Sequence, residues 1–118
     1  MDKSDFEQWA DRYVVAWNTN QPDDIGRLFS TDALYLTGPF DEPWRGRRQI
    51  VEQWIERKDE PGNTEFDFDV IATEGDLGVV QGAAFYKEPP IEYSNIWVIR
   101  LNQEGQATYY AEWWVEKK

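Results

Sequence analysis

Apolar residues recur at helical spacing over the first half of the chain and alternate over the second. Ser4 followed by Glu7 reads as a capping box, and Phe6, Trp9, Ala10, Tyr13, Val14 and Trp17 then share one stripe, which predicts a helix to about Asn18. Pro22, Asp23 and Asp24 suit the first turn of a short second helix, with Ile25, Leu28 and Phe29 facing inward and an end near Ser30. Residues 33–37 form a β-type run, closed by Gly38-Pro39 and an irregular stretch through Pro43 and Trp44. Gly46 opens a third helix with Ile50, Val51, Trp54 and Ile55 as its stripe and Glu60-Pro61-Gly62 as its stop. Four strands follow, over 64–73, 77–86, 91–101 and 106–116. Glu74-Gly75-Asp76 and Asn102-Gln103-Glu104-Gly105 read as tight hairpin turns, and Pro89-Pro90 as a bend. The order ααβαββββ predicts an α+β fold, three helices packed on one side of a curved, mostly antiparallel sheet.

The last of these strands carries the chemistry. Side chains alternate along a strand, so Tyr110, Glu112 and Trp114 share one face while Tyr109, Ala111, Trp113 and Val115 share the other. The pattern predicts a strand with no solvent face and sets Glu112 inside an aromatic wall. A carboxylate there loses hydration, which raises its pKa, and groups of that kind are over-represented among catalytic acids and bases. In a catalytic reading Glu112 is the general acid or base, and Tyr13 or Tyr110 donates a hydrogen bond to a developing oxyanion. In the competing reading Glu112 is a buried structural acid held by Arg100 or a Tyr hydroxyl.

Composition narrows the function classes. The 118 residues suffice for one domain, 1–118, and 41% hydrophobic content with seven Trp, six Tyr and six Phe supplies a core without disulfides. Twelve Lys and Arg against 23 Asp and Glu give a net charge of -11, which opposes nucleic acid and anionic membrane surfaces as partners. Cys is absent and neither a signal core nor a membrane-spanning apolar run is present, so the expectation is a soluble cytoplasmic protein. His is absent too, which removes serine-histidine and cysteine-histidine catalysis and His-ligated metal sites. The expectation is chemistry without metal or cofactor, on Asp, Glu, Tyr, Lys or Arg.

Arg12-Tyr13-Val14-Val15-Ala16-Trp17-Asn18, Leu28-Phe29-Ser30-Thr31-Asp32-Ala33-Leu34-Tyr35, Trp44-Arg45-Gly46 with Ile50, and the ending Trp97-Val98-Ile99-Arg100-Leu101-Asn102, Gly105 and Glu112-Trp113-Trp114 together resemble the SnoaL-like branch of the nuclear transport factor 2-like superfamily. The resemblance covers nearly the whole chain. It implies a cone whose sheet wraps a pocket closed by helices, in a superfamily of steroid isomerases, polyketide cyclases, dehydratases, epoxide hydrolases and non-catalytic binding proteins. Tyr13 matches the steroid isomerases' oxyanion-hole Tyr, but their general-base Asp falls on Thr37 and their second oxyanion acid on Trp97. Neither replacement shuttles a proton from carbon near neutral pH, so that mechanism is not expected. Scytalone dehydratase-like chemistry needs His. The alignment implies that Tyr13, Tyr35, Thr37, Asn95, Trp97, Tyr110, Glu112 and Trp114 face one cavity.

Trp17, Trp44, Trp54, Trp97 and Trp114 are candidates to line a site for a flat hydrophobic or polycyclic ligand. Core packing is the simpler account for Trp9, Trp17 and Trp54, on helix stripes, whereas Trp44, in a loop, is expected as a pocket lid. Asp32 is expected in a turn or cap role, and Arg45, Arg47 and Arg48 are expected to pair with Asp41 and Glu42. Glu65, Asp67 and Asp69 alternate on a solvated strand face. On the sheet face away from the pocket, Ile96, Val98, Tyr109 and Trp113 need cover, and the resemblance implies a homodimer joined through its sheets. The readings left open are an acid-base isomerase, cyclase or dehydratase with Glu112 as proton carrier, a non-catalytic binding module, and a dimerisation domain whose pocket is filled by its own Trp side chains.

Overall fold

The computed structural model describes residues 1–58 and 62–117. Helix α1, Lys3–Thr19, is capped by Asp2, two residues before its predicted cap Ser4. Asp2 and Asp5 form the capping box in place of Ser4 and Glu7, their carboxylates each accepting the other's backbone N–H at 3.2 and 3.0 Å. Ser4 instead accepts from the Gln8 side chain. The helix ends where Asn20 turns left-handed, φ 53°, and donates its N–H to the Ala16 carbonyl. Phe6, Trp9, Ala10, Tyr13 and Ala16 form its buried stripe.

Helix α2 is only Pro22–Gly26, and strand β1, Phe29–Leu36, begins where the helix had been expected to continue. Phe29 pairs with Ala107 across the sheet, and that tertiary pairing overrides the helical spacing of Ile25, Leu28 and Phe29. Trp44 and Arg45 are not loop: they form a two-residue strand, β2, antiparallel to Leu34 and Tyr35. Helix α3, Arg47–Glu56, buries Ile50 and Trp54. Of its predicted stop, Glu60 and Pro61 lie outside the described residues. Strands β3 (Thr64–Glu74), β4 (Leu77–Tyr86), β5 (Ile91–Leu101) and β6 (Ala107–Glu116) complete the chain almost at the expected boundaries.

The six strands form one curved sheet in the order β2-β1-β6-β5-β4-β3, antiparallel except for the parallel pair β1–β6. The α+β cone expected of the sequence is the fold observed. Phe66 on β3, Ala84 on β4, Tyr93, Asn95 and Trp97 on β5, and Tyr110, Glu112 and Trp114 on β6 share the inner face, as the registers Phe66↔Ala84↔Tyr93, Asn95↔Trp114 and Trp97↔Glu112 require. Helix α1 presses closely against this face: a Cβ on Gly78 would lie 2.4 Å from the Phe6 ring. Trp9 anchors the helix further by donating its Nε1–H to the Leu28 carbonyl at 2.9 Å. The tip of β6 departs from expectation, because Trp113, Trp114 and Val115 are 43, 53 and 69% exposed where a strand with no solvent face was predicted. Among the described residues no helix is long and apolar enough to cross a membrane.

Candidate functional site

The inner face of the sheet and the buried stripe of α1 meet in a cluster of aromatic rings centred on Tyr13. Its ring lies 5.4 Å from those of Trp9 and Tyr110, 5.1 Å from Trp97, 5.2 Å from Trp54 and 6.0 Å from Trp17. Parallel pairing of β1 with β6 sets Tyr35 beside Tyr110, ring centres 4.5 Å apart. Three hydroxyls from three distant parts of the chain thereby converge: Tyr110 donates to Tyr13 at 3.3 Å, and Tyr13 and Tyr35 share a bond of 3.0 Å. All three phenols are held far above their usual pKa, first by burial and then by neighbouring acidic groups, Glu112 among them. They stay protonated and serve as donors. Three protons serve two internal bonds, so one is spare, and the direction of the Tyr13–Tyr35 bond decides which of these two hydroxyls offers it.

Glu112 follows Tyr110 on the same strand face. Its Oε1 accepts from Asn95 Nδ2 at 2.8 Å. Burial pushes its pKa up to about 7, against weaker opposing help from Asn95, Trp97 and Tyr110, which favour the carboxylate. Trp97 Nε1–H completes no hydrogen bond, and the Asn95 Oδ1 is likewise buried without a partner. Arg100 does not hold Glu112; it pairs with Asp76 at 2.7 Å.

The space around Glu112 has two lobes. The first, about 240 Å³, is walled by Tyr13, Phe66, Ala84, Tyr86, Tyr93 and Asn95. The second, about 190 Å³, is walled by Asn20, Tyr35, Thr37, Trp44, Trp54, Arg57 and Lys58. Trp17, Glu112 and Trp114 border both, so the carboxyl group stands at their junction. Trp114 is tied across the mouth by its Nε1–H to the Thr37 carbonyl at 3.3 Å. Trp44 stacks on Tyr35, centres 4.7 Å apart and planes within 14°, and Arg57 lies 5.8 Å above the Trp44 ring.

The SnoaL-like domain family matches residues 10–110, which is most of the chain. The chain is a SnoaL-like domain protein. Among curated proteins none matches its sequence significantly. Solved structures resemble the SnoaL-like domain in fold. An NTF-2 like protein of unknown function from Burkholderia xenovorans LB400 superposes with a TM-score of 0.75 at 13% identity, covering 98% of this chain and 86% of the other. A ketosteroid isomerase-like protein from Erwinia carotovora atroseptica SCRI1043 gives 0.71 at 17% identity, covering 98% and 97%. A protein of unknown function with a cystatin-like fold from Methylobium petroleophilum PM1 gives 0.74 at 14%, covering 100% and 80%.

Of the residues singled out from sequence, the SnoaL-like domain brings Tyr13, Trp17, Tyr35, Thr37, Trp44, Trp54, Asn95, Glu112 and Trp114 to the walls of the two lobes. Tyr110 and Trp97 face the same way and are buried, but they line neither lobe, so the structure does not bring them to a ligand wall. Trp54 combines both expected roles: it is buried in the core and lines the second lobe, its Nε1–H donating to Asn20 Oδ1 at 3.1 Å. Trp44 is a strand-borne wall rather than a loop lid. Among the described residues Arg45, Arg47 and Arg48 do not pair with Asp41 and Glu42: Arg48 meets Glu52 at 3.2 Å, and Arg47 donates to the Phe29 carbonyl. Asp32 accepts from Ser30, a local turn contact. Glu65 and Asp69 lie on the outer face, near Lys87 and Lys3. Sequence reasoning missed Phe66, Tyr86, Tyr93, Arg57 and Lys58. The first three follow from alternation once β6 is in register with β5 and β4, whereas the two cations, at the end of α3, have no periodic signal.

Proposed function

We propose that the protein binds a hydrophobic, aromatic or polycyclic small molecule across the two lobes and moves a proton on it with Glu112, as a cytoplasmic, cofactor-independent isomerase, cyclase or dehydratase. The observation that carries this reading is the position of Glu112 at the junction of the lobes, with a pKa pushed up to about 7. Such a carboxylate takes a proton from carbon next to a carbonyl; the electron pair of the C–H bond moves onto the carbonyl oxygen. The spare phenolic proton, on Tyr13 or Tyr35, hydrogen-bonds the resulting enolate oxygen. Protonated Glu112 then returns the proton to another carbon, or to a leaving hydroxyl. The ketosteroid isomerase-like name of one structural relative agrees with proton transfer in this fold, although Thr37 and Trp97 hold two of the places where those enzymes carry acids.

Carboxyl-carbon NMR titration of labelled protein, with Glu112→Gln to assign the signal, is expected to give a midpoint near 7 for Glu112. A midpoint in the ordinary carboxylate range sinks the proton-transfer reading and leaves a binding module. The same proposal assigns the outer sheet face to a second copy of the chain, because Phe85, Trp113 and Val115 lie exposed there. Sedimentation should show a dimer that Trp113→Glu dissociates; a wild-type monomer at the highest attainable concentration rejects that assignment.

A further inference from the structure

The two lobes differ in polarity. Beyond the shared Glu112, the first offers Asn95, whose Oδ1 is a buried acceptor with nothing to accept. The Asn95 side chain is held in this orientation by its Nδ2, which donates to Glu112 Oε1 at 2.8 Å. A ligand reaching this end therefore has to bring a donor. The second lobe is bordered by Arg57 and Lys58, in a chain whose net charge is -11. Cations at the C-terminal end of a helix are favoured by its dipole, which explains their presence at the end of α3 but not their place on the wall of an aromatic cleft. Arg57 is held there over Trp44, and neither cation pairs with a carboxylate among the described residues. Between the two ends the walls are rings: Trp17, Tyr35, Trp44, Trp54 and Trp114.

We infer that the ligand is an aromatic acid whose carboxylate sits at Arg57 and Lys58 in the second lobe while its flat body crosses between the tryptophans and a hydroxyl at its far end donates to Asn95 beside Glu112. The inference rests on the ligand-pocket reading above and deepens it by naming the substrate class. A guanidinium presents a planar pair of donors that fits a carboxylate, and an aromatic body stacks on Trp faces at little entropic cost. The combined lobes are at the small end of ligand pockets, which suits a compact ring system rather than a long chain. Glu112 borders both lobes, so in its protonated form it stands beside the crossing body of the ligand without repelling the carboxylate.

The test uses 6-hydroxy-2-naphthoate and its neutral partner, 6-hydroxy-2-naphthamide, titrated calorimetrically near pH ~6, where Glu112 is mostly protonated and the naphthoate is ionised. Wild-type protein should bind the acid about tenfold more tightly than the amide, and the double variant Arg57→Gln, Lys58→Gln should bring the acid down to the level of the amide. Both side chains are exposed, so the variant keeps its fold, which the indole N–H spectrum of the tryptophans verifies. Equal affinities in the wild type, or a preference that survives the double variant, overturn the inference and leave the pocket reading standing. Failure of both probes to bind overturns the pocket reading as well.

Discussion

Replacing Glu112 by Gln stabilises the fold in alkaline solution and leaves it unchanged in acid. In the unfolded chain this carboxyl ionises at its ordinary value, about 4.5, whereas in the folded protein burial holds the proton on until about 7. Between those two values the native state binds the extra proton, so stability falls as pH rises through the window and stays lowered above it. The loss is about 2–3 kcal/mol after allowance for the open mouth of the cleft. Gln never ionises, and its Oε1 still accepts from Asn95 Nδ2, so the variant escapes the loss. Denaturant unfolding should give coincident curves for the two proteins near pH ~4.5 and a displaced, more stable curve for the variant near pH ~8. Equal stabilities near pH ~8 would mean that Glu112 ionises at its normal value and has no claim to proton transfer. The same substitution should abolish exchange of ligand α-protons with deuterated water by about 100-fold or more while binding persists. Stability gained where activity is lost is the signature of a group held in an unfavourable environment for its chemistry.

Gly78→Ala should destabilise the protein by roughly 2–3 kcal/mol, read as a fall of about 10 °C in Tm. The new methyl would stand 2.4 Å from the Phe6 ring, and that ring is fully enclosed between α1 and β4, with no room to retreat. Phe6→Leu removes ring atoms from the same place, so the double variant should lose less than the sum of the two single losses. Additive losses would show that α1 does not press on β4 at this point.

Much of this architecture is legible in the sequence because its signals are local. The stripe of Phe6, Trp9, Tyr13 and Ala16 needs only a helical period, and the inner face of β6 needs only alternation. Even the misplaced cap is a choice between two local fits, since Asp2 with Asp5 and Ser4 with Glu7 both satisfy the capping rule. What could not be read is what pairing at a distance decides. Phe29 belongs to a strand because Ala107 lies beside it, and Trp44 because Tyr35 does. The phenol cluster is in part of the same kind: the resemblance set Tyr13, Tyr35 and Tyr110 toward one cavity, but their hydrogen bonds depend on the parallel pairing of β1 with β6 and on the docking of α1. Glu112 was legible because its aromatic neighbours are its neighbours in sequence, whereas the lobe it shares with Arg57 and Lys58 was not.

That parallel pair also sets an order of assembly. Strands β3, β4 and β5 are joined by short turns and can pair as soon as they are formed, but β1 reaches the rest of the sheet only through β6, from the opposite end of the fold. Closing so long a loop carries an entropic cost that the hairpins do not face. The hairpin half should therefore form first, and the docking of α1 and β1 against β6 should come last. On that order the Tyr13, Tyr35 and Tyr110 hydroxyls would meet only in the final step, and a form with just the hairpin half paired would have a sheet but no pocket.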